Sequence, residues 1–215
     1  MQPSSHLYLA LTLLLAVGCQ STTTLAPPPA QISVAANLYQ APLGKEVSLP
    51  QLQQLAAQGN AHAQNELGRR YGVGAGVPKD SAQALHFYQL AAAQQLPVAQ
   101  LNLGFMYYAG EGVPANVATA AQWFHKAALQ GHYAAQYNLG RLYLTGEGVP
   151  KDGALAERWW ILAANQGHVD SQRALKTLYE QGLGIAPDAY KAKLWAQRVH
   201  QAEVSGMAWK LPASH

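Results

Sequence analysis

Residues 136–167 read QYNLGRLYLTGEGVPKDGALAERWWILAANQG, and this stretch decides the fold. Apolar residues recur in it at helical spacing on both sides of a central loop. That loop contains Gly146, Gly148 and Pro150, residue types that end one helix before another begins. The stretch therefore predicts one helix-loop-helix unit.

The unit recurs along the chain with a period of 36 residues. The aligned positions are Leu67, Leu103, Leu139 and Leu175; Tyr71, Tyr107, Tyr143 and Tyr179; and the loop pairs Gly74/Gly76, Gly110/Gly112, Gly146/Gly148 and Gly182/Gly184. A fixed period of this length indicates repeats that stack on their neighbours to bury a shared core. The sequence predicts an all-α fold, an α-α solenoid of about four 36-residue helix-loop-helix repeats over residues 51–204.

Local signals predict where the helices of each unit end and begin. Gly74 and its copies stand where the first helix should end, because glycine tolerates the left-handed conformation of a C-cap. Asp and Asn are preferred N-caps, so each second helix should begin after Asp80, Asn116, Asp152 or Asp188. A glycine inside the first helix lowers its propensity, so we expect a neighbouring helix to approach closely there. These helix-interior glycines are Gly68, Gly104 and Gly140.

The bulk composition narrows the classes of partner. Charged residues make up only 12% of the 215-residue chain, and the formal net charge is +3. A charge this small and scattered does not support a nucleic-acid partner. Cys19 is the only cysteine, so no intrachain disulfide can form.

The pattern A-Q-x-x-L-G-x-x-Y-x-x-G-x-G-V-P, followed by A-x-x-W/F and A-A-x-x-G, resembles Sel-one-like repeats, relatives of tetratricopeptide repeats. The resemblance covers about residues 59–200. It implies a right-handed α-solenoid whose first helices line a concave face, used as a scaffold or adaptor for other proteins. The fourth copy departs from the pattern, with Lys176 in place of the glycine, as expected of an end repeat. Leu52, Leu55, Ala56 and Ala57 predict a remnant second helix that caps the other end.

Function is expected at first-helix positions that differ between copies, because the shared residues build the solenoid. Counting about 100° per residue from Leu67 identifies the side chains that point away from the core. Aromatic residues and arginines among them are the types that dominate interface energetics. The alternative is that Leu101 and Phe105 merely pack against a neighbouring repeat. The predicted partner-binding residues are Asn65, Glu66, Arg69, Leu101, Asn102, Phe105, Tyr137, Asn138, Arg141 and Arg173.

The N-terminus predicts export and a lipid anchor. Residues 7–17 form an apolar run that is too short to span a bilayer and fits the core of a secretory signal. The following AVGC segment resembles the lipobox of bacterial lipoproteins, although Ala16 stands where that family prefers Leu and residues 1–6 lack Lys and Arg. The resemblance implies a signal peptide over residues 1–18 and acylation of Cys19. The alternative is an ordinary cleaved signal with an incidental cysteine.

Residues 19–50 contain a Pro-Pro-Pro run and no helical period, so they predict a lipidated flexible tether. By resemblance to lipoprotein sorting, Gln20 in place of Asp after the cysteine favours the outer membrane, with the chain facing the periplasm. Residues 205–215 predict a short C-terminal tail in which Trp209 folds back on the last helix.

Signatures of catalysis, cofactors and metals are missing from the sequence. There is no G-x-S-x-G, S-x-x-K or Walker-type glycine loop. His132 and His168 occupy the same turn in successive copies, which indicates a repeat feature rather than a metal site. Glu111 and Glu147 recur only as loop residues. The sequence therefore predicts a chain that is not an enzyme and has no cofactor and no metal site.

Three hypotheses for function follow. The first is an envelope-anchored scaffold that binds another protein through its concave face, as an adaptor or assembly factor. The second, suggested by periplasmic proteins with similar repeats, is an immunity protein that neutralises a secreted lipase- or phospholipase-type toxin by direct binding. The third is a cell-wall or polysaccharide-binding module, because Phe105 and Tyr137 could stack on sugar rings.

Overall fold

A computed structural model describes residues 47–208, with side chains as far as residue 206. Within that range the chain forms nine helices and no strand. They are α1 (Leu49–Ala57), α2 (Ala61–Val73), α3 (Ser81–Ala93), α4 (Pro97–Ala109), α5 (Val117–Leu129), α6 (Tyr133–Thr145), α7 (Gly153–Asn165), α8 (Val169–Gln181) and α9 (Ala189–Ala208). Each helix packs against the next along the chain. The predicted all-α solenoid is confirmed, with α2, α4, α6 and α8 as first helices (A helices) and α3, α5, α7 and α9 as second helices (B helices).

The predicted caps lie where the A helices end and the B helices begin. The A helices end at glycines with a left-handed backbone, for example Gly74 at φ 75° and Gly146 at φ 81°. The side chains of Asp80, Asn116 and Asp152 accept hydrogen bonds from backbone N–H groups in the first turn of the B helices. These caps satisfy backbone groups that a helix cannot satisfy internally, so they fix where each A helix ends and each B helix begins.

The helix-interior glycines lie under aromatic rings of the following B helix, as the expected close approach requires. A Cβ atom added to Gly68, Gly104 or Gly140 would lie 2.7, 2.4 and 2.5 Å, respectively, from a ring atom. In the fourth repeat neither partner is kept, since Lys176 and Ala196 occupy the two positions. The glycine and the aromatic residue therefore form one packing unit, which the fourth repeat lacks. The pairs are Gly68–Tyr88, Gly104–Phe124 and Gly140–Trp160.

Buried glutamines of the A helices form hydrogen bonds to the helices that precede or follow them along the chain. The amide nitrogens of Gln64, Gln136 and Gln172 donate to backbone carbonyl oxygens of the preceding helix, at 3.1 to 3.3 Å. The amide oxygens of Gln64, Gln100 and Gln136 accept from glutamines at the end of the following B helix, at 2.7 to 2.8 Å. Position 202 carries alanine at the corresponding point, and Oε1 of Gln172 is left without a partner. The ladder therefore stops at the last repeat.

Helices α1 and α9 close the two ends of the described array. Leu52 and Ala56 of α1 are buried against α2, which confirms the predicted remnant helix. α1 begins at Leu49, slightly before the boundary predicted at residue 51, and α9 continues into the segment predicted as a tail. The signal peptide over residues 1–18, Cys19, the tether as far as residue 46 and Trp209 lie outside the described residues.

None of the helices between residues 49 and 208 is long and apolar enough to cross a membrane.

Candidate functional site

The predicted contact residues all lie on the A helices. We call the solvent-facing surface of α2, α4, α6 and α8 the A-helix face. Most of these residues are at least partly exposed on it, but Leu101 is not. Leu101 is only 7% exposed and belongs to the core cluster that includes Leu139 of the third repeat. Its burial agrees with the alternative that it packs against a neighbouring repeat, because the next repeat covers a position that points away from the core of its own repeat.

Polar side chains of the first repeat are engaged with one another. Arg69 donates two hydrogen bonds to the carboxylate of Glu66, at 2.7 and 2.6 Å, and Arg70 adds a third at 3.2 Å. The hydrogen bond from Arg69 is the main reason that the pKa of Glu66 is lowered. The amide of Asn102 donates to Oδ1 of Asn65 at 3.0 Å, so these two predicted residues join α2 to α4.

A second polar network lies between the second and third repeats. The hydroxyl of Tyr108 donates to Glu147 at 2.9 Å, and the guanidinium of Arg141 donates to the same hydroxyl at 3.3 Å. Arg141 also lies 3.9 Å from the carboxylate of Glu147 and over the Tyr108 ring, 5.0 Å from its centroid. The groove between α4 and α6 is thus occupied by the protein's own side chains.

Exposed apolar side chains lie at the junction of the first and second repeats. Phe105 is 43% exposed although its ring meets Phe124 edge to face, with centroids 5.3 Å apart. Val73, at the end of α2, is 65% exposed. Phe105 therefore packs on the neighbouring B helix and still presents part of its ring to solvent, which combines the two alternatives that its sequence position allowed.

A cavity of about 250 Å³ opens between α2 and α4 beside these residues. Its lining is mostly apolar, with charged groups at Arg69 and Glu111. Tyr88 lies at its base, and burial raises the pKa of this phenol to about 12. The phenol is therefore neutral at physiological pH, and this part of the surface is an apolar pocket with charges beside it.

The third and fourth repeats present a different surface, built from aromatic rings. Tyr137 lies 5.1 Å from the ring of His168 and 6.5 Å from that of Trp160, and its carbonyl accepts the indole N–H at 3.0 Å. The exposed ring of Tyr133 lies 5.2 Å from the ring of His168. Burial lowers the pKa of His168. Asn138 bonds to a carbonyl of its own helix at 2.8 Å. Tyr137 is thus wedged among rings rather than free.

Arg173, the last predicted contact residue, is tied to acidic groups at the end of the array. It pairs with Asp170 at 3.0 Å and with Glu203 of α9 at 2.7 Å. These hydrogen bonds raise the pKa of its guanidinium. Arg173 therefore contributes a contact between α8 and α9 as well as surface charge.

The sequence reasoning missed Gly72 and Tyr108, and it assigned no contact to Glu111 or Glu147. Gly72 leaves the groove between α2 and α4 open and Tyr108 fills the groove between α4 and α6, and each groove has a glutamate at the same loop position. The signal that could have found them is the register itself, because Gly72 and Tyr108 occupy one position in successive repeats.

No cluster of three or more His, Cys, Asp or Glu side chains that could hold a metal ion occurs between residues 47 and 206.

Comparison with known proteins places the repeats in one family. The model of the Sel1 repeat matches residues 61–96, 97–132, 134–168 and 171–198. No curated protein sequence matches the chain.

Solved structures agree with this assignment. A protective antigen of uropathogenic Escherichia coli with an SLR fold is 38% identical over 72% of this chain, with a TM-score of 0.70. A Sel1 repeat protein of Oxalobacter formigenes is 32% identical over 71% of this chain, with a TM-score of 0.66. The matches cover 33% of the first protein and 63% of the second. An immunity protein of Pseudomonas aeruginosa is 19% identical over 83% of this chain and 84% of its own length, with a TM-score of 0.43.

Four matches of one repeat model span more than half of the chain. Proteins built from this repeat are typically helical scaffolds for protein interaction rather than enzymes. The chain belongs to the Sel1 repeat family.

Proposed function

We propose that this chain is a scaffold of the bacterial envelope that binds another protein through its A-helix face, as an adaptor or assembly factor. The observation that carries the proposal is the exposed apolar surface of Val73 and Phe105 beside the cavity between α2 and α4. Contiguous exposed apolar groups on a soluble domain commonly mark a place where a partner binds.

The charged residues of the face support this choice of contact. Arg69, Arg141 and Arg173 each pair with a carboxylate of the chain itself. A partner that approaches the face therefore meets neutralised charges at its rim and apolar groups near the first two repeats. This arrangement resembles the apolar centre and polar rim of protein interfaces.

The envelope location is supported by the sequence alone. The apolar run over residues 7–17 and the AVGC segment that ends at Cys19 are the basis for export, acylation and an outer-membrane position facing the periplasm. Incorporation of labelled palmitate tests this location. We expect labelling of the native protein and none of Cys19→Ser, and equal labelling of the two would remove the anchor from the proposal.

The partner-binding proposal is tested by affinity capture from envelope extracts, followed by measurement of the affinity of the captured protein. We expect Phe105→Ala and Arg141→Glu each to weaken binding at least about tenfold, which corresponds to about 1.4 kcal/mol. Helical circular dichroism should remain unchanged. Tyr190→Ala is the matched control, because Tyr190 is 78% exposed on α9, a B helix. Full affinity in both A-helix variants would contradict the proposal.

The identity of the captured protein separates the adaptor role from the immunity role. A secreted lipase- or phospholipase-type toxin in the eluate would establish immunity through the same face. A structural or assembly protein of the envelope would establish the adaptor role.

The aromatic surface of the last two repeats favours a polysaccharide as the second candidate ligand. Tyr133 is 48% exposed and lies beside the ring of His168. Rings of this kind can stack on sugars. Binding to purified peptidoglycan that is lost in Tyr133→Ala, but kept in Phe105→Ala, would support this candidate over a protein partner.

A further inference from the structure

Two neighbouring grooves on the A-helix face have the same backbone plan and different contents. Gly72 of α2 and Tyr108 of α4 are equivalent, since they lie 36 residues apart. Phe105 corresponds to Arg141, and Glu111 corresponds to Glu147, by the same spacing. The groove between α2 and α4 can therefore be compared, position by position, with the groove between α4 and α6.

In the groove between α4 and α6 the acidic loop residue is satisfied within the chain. Glu147 accepts the hydroxyl hydrogen of Tyr108 at 2.9 Å and lies 3.9 Å from Arg141. The chain thus fills this groove with an aromatic ring beside a guanidinium, and both face the carboxylate.

In the groove between α2 and α4 both partners of the carboxylate are replaced. Gly72 has no side chain to enter the groove, and Phe105 stands where the guanidinium would be. The backbone N–H of Glu111 donates to the carbonyl oxygen of Met106 at 3.0 Å, but its carboxylate forms no hydrogen bond or ion pair with the residues between 47 and 206. The space left behind is the cavity that Gly72, Phe105 and Glu111 line together with Val73 and Tyr88.

We propose that the cavity between α2 and α4 binds a protein segment that presents an aromatic side chain next to a basic one. The aromatic ring takes the place that Tyr108 has in the next groove, and the basic group pairs with Glu111. The inference rests on the proposed function, since it specifies the chemistry of the segment that the A-helix face binds.

Size and charge support this occupant over others. The cavity of about 250 Å³ is smaller than typical small-molecule sites, which span roughly 300–1,000 Å³, so it suits a side chain better than a cofactor. Glu111 repels an acidic segment, and the nearby cation Arg69 is already held by two hydrogen bonds from its guanidinium to Glu66. Apolar walls and one free carboxylate therefore favour an aromatic group with an adjacent positive charge.

The experiment titrates the protein with the peptide acetyl-Gly-Arg-Tyr-Arg-Gly-amide and follows the methyl signals of Val73 and Met106, which both line the cavity, by NMR. We expect saturable shifts at these methyls. Replacing the tyrosine of the peptide by alanine, or both arginines by glutamate, should weaken binding at least tenfold.

Two protein variants test the cavity itself. Gly72→Tyr installs the residue of the next repeat, and the position accepts a side chain because an added Cβ would lie 3.7 Å from Ala84. Glu111→Gln removes the charge. Both should weaken peptide binding at least tenfold while the helical signal and melting remain native. Gly72→Ala and Glu180→Gln are the matched controls and should bind within about twofold of the native protein.

Absence of saturable shifts, equal binding of the glutamate peptide, or native affinity in Gly72→Tyr would each overturn the inference. The result is separable from that of the proposed function. If the peptide fails while Phe105→Ala still abolishes capture of a protein partner, the scaffold proposal stands and the occupant of the cavity is wrong. If the peptide binds but Phe105→Ala does not change capture of a protein partner, the cavity site stands and the proposal that a partner binds the A-helix face is wrong.

Discussion

The groove between α2 and α4 is open, whereas the groove between α4 and α6 is filled by Tyr108, Arg141 and Glu147. Equivalent helices, caps and glycine–aromatic pairs frame both grooves. The difference comes from the side chains at two equivalent positions, with Gly72 in place of Tyr108 and Phe105 in place of Arg141. The comparison shows that a cavity opens in a repeat array where one repeat lacks the side chains that would contact the loop carboxylate of the next repeat.

The strongest test of this comparison empties the filled groove. Tyr108→Gly should lower the free energy of unfolding by about 3 kcal/mol, because it removes a partly buried ring, a hydrogen bond to a carboxylate and helix propensity. Urea unfolding followed by circular dichroism measures the change. Tyr108→Phe keeps the ring and should lose only about 1 kcal/mol. Equal losses of stability in the two variants would mean that the Tyr108 ring does not fill the groove between α4 and α6. The contrast between the two grooves would then be wrong.

The framework that both grooves share was predictable from the sequence. Loop glycines such as Gly74 and N-caps such as Asp80 act within a few residues of their own position, so the sequence shows them directly. The fixed period then indicates stacking without knowledge of any side-chain contact. Repeat boundaries, helix ends and the remnant helix at Leu52 were predictable for this reason.

The contents of the grooves were not predictable by the same reasoning. Helical periodicity places Leu101 away from the core of its own repeat, but only the structure shows that the third repeat covers it. Glu111 and Glu147 look alike as loop residues, and their difference depends on side chains of the preceding repeat. A helical wheel drawn one repeat at a time contains no information about such contacts between repeats.

A test with an intermediate expected effect on stability concerns Phe124, the ring on which Phe105 packs. A Cβ atom on Gly104 would approach the Phe124 ring to 2.4 Å, so Gly104→Ala should cost about 2 kcal/mol of stability through overpacking. Gly72→Ala, in the preceding A helix, should instead gain about 0.5–1 kcal/mol, since its Cβ has room and alanine favours the helix. Thermal melting of both variants provides the measurement. The same sign of effect in both would show that Gly72 does not border an open space.

The smallest expected effect sharpens the comparison at the turns that lead into α4 and α6. Gln95 has φ 62° where the other copies have glycine, as in Gly131 at φ 87°. A side chain in this left-handed conformation costs about 1 kcal/mol. Gln95 also accepts a hydrogen bond from Gln100 at 3.2 Å, whereas Gln136, the equivalent of Gln100 in the next repeat, donates to the carbonyl oxygen of Ala128.

Gln95→Gly should therefore relieve the backbone strain and free Gln100 to donate to the corresponding carbonyl oxygen. Urea unfolding should show a gain in stability of about 1 kcal/mol. Gly131→Gln, made at the turn before the filled groove, should show a loss of similar size, because no atom lies near an added Cβ and only backbone strain remains. A loss of stability in Gln95→Gly would mean that the glutamine contact outweighs the strain and that the first two repeats are joined differently from the others.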